Sequence, residues 1–128
     1  MPTLYFEERE GGTVQVSAKG IKEYGFPVKK IFEELCLREL TTLEGRIDAV
    51  RKLYGYKYNV PVYVNEEMLF FKICGNKIHW LNFSQVASII KTEHGTDFVF
   101  KDGTVLNTGA NYRTSLRAYE KAATIHHR

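Results

Sequence analysis

Cys36-Leu37-Arg38-Glu39-Leu40-Thr41-Thr42-Leu43-Glu44-Gly45-Arg46 opens a run that continues to Tyr56-Lys57-Tyr58-Asn59-Val60-Pro61-Val62-Tyr63-Val64-Asn65. Within this run the apolar spacing changes from that of a helix to that of a strand, and the change decides the fold class. Thr41-x-x-Glu44 has the form of a capping box, in which a hydroxyl and a carboxylate each satisfy a free backbone N–H. It predicts a helix over about residues 42–54, with Leu43, Ile47, Val50 and Tyr54 along one face. Gly55 supplies a left-handed stop. Beyond it the period is that of an extended chain, whose successive side chains face opposite ways.

Upstream, Leu4 to Glu8 and Thr13 to Ser17 alternate around Gly11-Gly12 and read as a hairpin. Pro27 fits a first helical turn, followed by an apolar stripe of Val28, Ile31, Phe32 and Leu35. Downstream of Val60–Val64, extended segments are expected at Met68–Ile73, Lys77–Leu81, Val86–Thr92, Asp97–Lys101 and Thr104–Asn107. Gly75-Asn76 and Asp102-Gly103 suit tight hairpin turns, which need positive φ. Asn111 then caps a last helix, Tyr112 to His126, with Tyr112, Leu116, Tyr119 and Ala123 expected inward. The expectation is an α+β fold: one domain over 1–128, an antiparallel β meander with two central helices and a C-terminal helix.

The chain has 128 residues, enough for a proper core without staples. Its 44% hydrophobic and 26% charged content is ordinary for a globular protein. No apolar run reaches the roughly 18–20 residues that span a bilayer. The N-terminal Met1-Pro2-Thr3-Leu4-Tyr5-Phe6-Glu7-Glu8 lacks the basic start and apolar middle of a signal peptide, so a cytoplasmic location is expected. Cys36 and Cys74 fit that compartment as two thiols without metal or redox spacing, read as buried and free.

Known catalytic patterns are missing. Gly11-Gly12 and Gly20 do not form a phosphate loop, and Cys36, Cys74, His79 and His94 are too scattered for zinc. His126-His127 reads as a frayed, solvated tail. Glu7, Glu8 and Glu10 read as solvated hairpin residues rather than an acid–base pair. A non-enzymatic role without cofactor, metal, membrane or small-molecule substrate is therefore expected.

The net charge of +3 is too weak to imply nucleic acid by itself, and its distribution says more. Residues 1–40 carry six basic and seven acidic side chains, while residues 41–128 carry twelve and eight. An anionic partner would therefore meet the later two-thirds of the chain. Arg113, Arg117 and Lys121 recur at i, i+4 and i+8, forming one ridge that can follow a phosphate backbone. In the second helix Asp48 can pair with Lys52, and Glu44 can help Arg51. Arg46 has no acidic neighbour at i±3 or i±4, so its head is free for a phosphate or a narrow minor groove. A bridge to Glu34 or Glu39 is the equal alternative. Tyr54-Gly55-Tyr56-Lys57-Tyr58 interleaves aromatics with a cation, suited either to stacking on a nucleic acid or to ordinary ring burial. Trp80 reads as core.

Taken in order, these motifs resemble those of the competence transcription factor family, ComK. Cys36 with Gly45-Arg46 reproduces the family's Cys-to-Gly-Arg spacing, and Asn59-Val60-Pro61-Val62-Tyr63-Val64 is similar to its Pro-apolar strand. Met68-Leu69-Phe70-Phe71 resembles the strand that follows, and Ile78-His79-Trp80-Leu81-Asn82 the Trp-containing one. Phe98 to Gly103 is similar to its Phe-x-Asn/Asp-Gly hairpin, and Asn111-Tyr112-Arg113 falls where a Ser-Tyr pair opens the family's last conserved helix. The resemblance covers roughly residues 28–125. Two features depart from it: the connection between central strands is only Lys72 to Lys77, and the family's C-terminal extension has no counterpart.

The resemblance implies a transcription activator that recognises paired A/T-rich boxes as an oligomer, largely from the minor groove, where readout distinguishes A·T from G·C. A DNA-binding transcription regulator that forms homo-oligomers on A/T-rich double-stranded DNA is the expected function. Arg46 is the residue carried over from the family. Arg51, Lys52, Lys57, Arg113, Arg117 and Lys121 are expected to position phosphates. The rival expectation is a protein-interaction or inhibitor module that keeps the core without binding DNA.

Overall fold

The opening alternation folds into the expected hairpin. Strands β1 (Thr3–Arg9) and β2 (Gly12–Ser17) pair antiparallel, with Arg9 opposite Gly12 and Gly11 turning the chain at φ 75°. A third strand, β3 (Gly20–Tyr24), extends the hairpin and was not expected. Its side chains are largely exposed, so no alternation of apolar residues betrays it. The structure is a computed structural model and describes residues 2–128; Met1, which begins the N-terminal stretch read above, lies outside the described residues.

The remaining elements are α1 (Val28–Arg38), α2 (Leu43–Tyr54), β4 (Val62–Asn65), β5 (Met68–Cys74), β6 (Ile78–Asn82), β7 (Val86–Thr92), β8 (Gly95–Phe100), β9 (Val105–Asn107) and α3 (Tyr112–His126). A short 3-10 turn, Phe83–Gln85, separates β6 from β7. The fold class is α+β as expected, but the strands form two antiparallel sheets rather than one meander. A six-stranded sheet has the order β3-β2-β1-β6-β5-β4, and a three-stranded sheet the order β7-β8-β9. The two hairpin systems of the large sheet join where β1 meets β6, with Tyr5 opposite Leu81 and Glu7 opposite His79.

Alternation along β5 distributes side chains to two cores. Phe70 faces α1 and α2, where it meets Phe6, Phe32, Val28, Ile31 and Cys36. Leu69, Phe71 and Ile73 face the small sheet and α3, packing with Phe98, Phe100, Ala122 and Ile125. Phe6, Phe32 and Phe70 have ring centroids 5.2–5.6 Å apart and are fully buried. Burial of each such side chain stabilises the fold by about 1.5–3 kcal/mol. The result is three layers, with the large sheet in the middle.

Helix α2 is capped one residue later than the sequence indicates. Thr42, not Thr41, is the cap, and its hydroxyl accepts from the Gly45 N–H at 2.9 Å. Gly55 ends the helix at φ 71°, as expected. Helix α3 has the expected bounds, and Asn111 Oδ1 accepts from the Thr114 N–H at 3.0 Å. Its inward face agrees in part: Tyr119 and Ala123 pack against the core as expected, Tyr119 meeting Phe71 and Phe83. The fully buried residues, however, are Ser115, Ala122 and Ile125, and Tyr112 and Leu116 are only half-buried. The end of the helix is docked rather than frayed, with His126 against Phe83 at 5.2 Å.

The segment leading into α3 is held by two buried threonines. Thr108 Oγ1 donates to the Thr96 carbonyl (2.7 Å), and Thr96 Oγ1 donates to the Ala110 carbonyl (2.8 Å). The Asn76 N–H donates to the Thr108 carbonyl at 2.8 Å. At Gly75 a Cβ would collide with that same carbonyl, so only glycine permits this approach. These contacts fix the start of α3 against the end of β5.

Candidate nucleic-acid interface

The structure separates the seven cations singled out in the sequence into distinct places. Arg46 lies where α2 crosses the open edge of the large sheet. Leu43 belongs to one core and Val50 to the other, so α2 rides over β4. The β4–β5 pairing is irregular between Tyr63 and Asn65, and Arg46 Nη2 donates to the Val64 carbonyl at 3.2 Å. The guanidinium also stands 4.9 Å from the centre of the Tyr63 ring, and Arg128 covers the same ring at 4.5 Å. Arg46 Nε is buried without a partner. The expected free head is therefore already engaged, and neither Glu34 nor Glu39 bridges to it among the described residues. Without an i±4 carboxylate in view, sequence spacing could not reveal a backbone acceptor 18 residues away.

Arg51 faces the groove between α1 and α2, alongside Lys29, Glu33, Glu44 and Asp48. That groove carries three carboxylates and does not present a basic surface. Lys52 is exposed on the last turn of α2, and the expected Asp48–Lys52 pair does not form.

The remaining four gather around α3. Lys121 Nζ donates to the Tyr58 carbonyl at 3.3 Å and lies 5.2 Å from the Tyr56 ring centre. This draws the Tyr56–Tyr58 loop, with exposed Lys57, onto the helix that carries Arg113 and Arg117. Tyr54 and Tyr56 stack on each other at 5.6 Å, while Tyr58 is 78% exposed. Ring packing thus holds for Tyr54 and Tyr56, while the Tyr58 ring is left to solvent. No carboxylate lies within 4 Å of Lys57, Arg113, Arg117 or Lys121 among the described residues.

Sequence reading missed a second polar cluster. Glu7 is buried, and its carboxylate meets Arg9 Nε at 2.6 Å, His79 Nε2 at 3.1 Å and Lys77 Nζ at 3.5 Å. Glu8 accepts from Trp80 Nε1 at 2.8 Å, so neither residue is a free hairpin carboxylate. Trp80 itself is half-buried, edge-on to Phe32. Because a carboxylate only accepts, Nε2 of His79 carries the proton and Nδ1 is left buried without a partner. Burial pushes the His79 pKa down despite the Glu7 charge. Burial pushes Glu7 up, but hydrogen bonds from Arg9 and His79 and the charge of Lys77 outweigh it and lower its pKa. Sheet register placing position 7 opposite position 79 was the signal needed, and it is non-local.

Both cysteines are free; Cys36 is buried but Cys74 is exposed at the end of β5, correcting its expected burial. Burial raises the Cys36 thiol above its ordinary pKa. No helix among the described residues is long and apolar enough to cross a membrane. Compared with protein-family models, curated proteins and solved structures, the chain matches none.

Proposed function

We propose that this chain is a DNA-binding transcription regulator of the kind the ComK resemblance implies, acting as a homo-oligomer on A/T-rich duplex. The observation that carries the reading is the ridge of Arg113, Arg117 and Lys121, joined by Lys57, with no carboxylate within 4 Å among the described residues. Cations whose charge no carboxylate neutralises are the ones able to displace condensed counterions from phosphates. The exposed Lys57-Tyr58 loop stands beside this ridge and is the element suited to enter a groove. Arg46 is assigned to holding the sheet edge, not to the DNA.

The rival, a protein-interaction or inhibitor module, draws support from Leu40. It is 96% exposed and held at φ 59°, a conformation unfavourable for leucine, close in sequence to exposed Leu37. Fluorescence anisotropy with A/T-rich and G/C-rich duplexes at low salt separates the two readings. Binding that favours the A/T-rich duplex and falls when Arg113 and Arg117 are both replaced by Gln supports the regulator. No duplex binding at low salt transfers the assignment to the interaction module.

A further inference from the structure

Strand β4 covers β5 only from Met68 to Phe70, so the Ile73–Cys74 segment has no strand on its outer side. Asn59, at φ 48°, lies in the chain that precedes β4. Between this uncovered segment and α3 is a cavity of about 200 Å³, lined by Asn59, Lys72, Cys74, Ser115, Arg117 and Lys121 among others. A drug-sized ligand needs roughly 300–1,000 Å³, so the space suits a smaller group.

Its lining contains no aspartate or glutamate, which disfavours a cation as occupant. Lys72 directs its ammonium toward Trp80, 5.7 Å from the ring centre, so the charge on this side comes from Arg117 and from Lys121, which gives one N–H to the Tyr58 carbonyl and keeps its others. Ser115 provides an independent sign of a ligand. It is 1% exposed, and its hydroxyl has no hydrogen-bond partner. Buried hydroxyls are normally satisfied, and an orphan one beside two cations is matched by an anion with several acceptor oxygens.

We propose that this cavity is a phosphate-recognition site. It takes one phosphate group, with Arg117 and Lys121 supplying charge and Ser115 donating its hydroxyl hydrogen. The group can belong to a nucleic-acid backbone or to a free phosphate ester, and only the first case rests on the DNA-binding reading. In that case the site deepens it: the ridge along α3 ends in a socket that fixes the register of one backbone phosphate.

Titration with inorganic phosphate, at ionic strength matched by chloride, is followed by amide NMR. Saturable shifts confined to Cys74, Ser115 and Ala118, and lost in Arg117→Gln, are the expected result. Ser115→Ala should weaken phosphate several-fold while raising the melting temperature, because an unsatisfied buried hydroxyl has been removed. A merely structural serine would not separate affinity from stability in this way. An A/T-rich duplex is then added in place of phosphate. If it shifts the same amides, the backbone is the source; if phosphate binds but the duplex does not, the site stands as a phosphate-ester site and the DNA reading fails. A linear drift spread over many lysines, without saturation at Ser115 and Ala118, overturns the site even when the duplex binds elsewhere.

Discussion

Replacing Arg46 by alanine tests whether this residue holds the fold together or reads DNA. The variant loses a hydrogen bond from a charged donor to the Val64 carbonyl, worth about 1.5–3 kcal/mol. It also loses one of the two guanidinium contacts on Tyr63, worth about 0.5–1 kcal/mol at a half-exposed site. Two effects offset these. The buried, unpartnered Nε disappears, relieving about 1–3 kcal/mol, and Arg128 still covers the ring. The expected net loss is about 1 kcal/mol, or about 4 °C in melting temperature for a domain of this size. Urea and thermal unfolding give the stability, and anisotropy on an A/T-rich duplex gives the affinity per folded molecule, which should be unchanged. Arg46→Lys should recover little, because an ammonium cannot both stack on Tyr63 and reach the carbonyl in the same plane. A stability loss below about 0.5 kcal/mol together with a tenfold drop in duplex affinity would refute this assignment and restore Arg46 to the groove.

The Glu7–His79 pair makes the fold sensitive to acid. The His79 pKa is lowered on folding, so the unfolded chain takes up a proton that the native state refuses. Stability should fall as pH drops below about 6.5, and further below about 4.3 because Glu7 is also lowered. Urea unfolding from pH 7.5 to 4 checks this, and in His79→Asn the upper part of the loss should disappear; stability that holds or rises from pH 7 to 5 would contradict it. Gly75→Ala should destabilise by about 1–3 kcal/mol by forcing Thr108 away from the end of β5. Because that contact seats the start of α3, unfolding should show the loss, and an unchanged midpoint would mean the approach is not tight.

Local features were legible in the sequence, and long-range ones were not. Asn111 and Gly55 announce their helix ends because capping and left-handed stops depend on neighbouring residues. Thr41 and Thr42 show the limit: both offer a hydroxyl in the right region, and only the path of the chain selects Thr42. The two-sheet arrangement was hidden because β1 pairs with β6 across more than 70 residues, and no periodicity encodes a partner. The inward face of α3 was legible only in part: Tyr119 and Ala123 do pack on the core, but the buried Ser115 and Ala122 carry no large apolar side chain to mark them. Among the site residues, the Arg113–Arg117–Lys121 ridge follows from helical spacing alone. The fates of Arg46 and Arg51 depend on what lies opposite them in space, a bulged strand edge and an acidic groove.

The salt dependence of duplex binding tests the central proposal most directly. Each phosphate neutralised contributes a slope of roughly −0.9 to log affinity against log salt. With Lys57, Arg113, Arg117 and Lys121 all engaged, a total slope of about −3 to −4 is expected on A/T-rich duplex. In Arg117→Ala it should be shallower by about one unit, with all duplexes weakened alike. A flat salt response, or a slope that Arg117→Ala leaves unchanged, would contradict DNA binding through the α3 ridge.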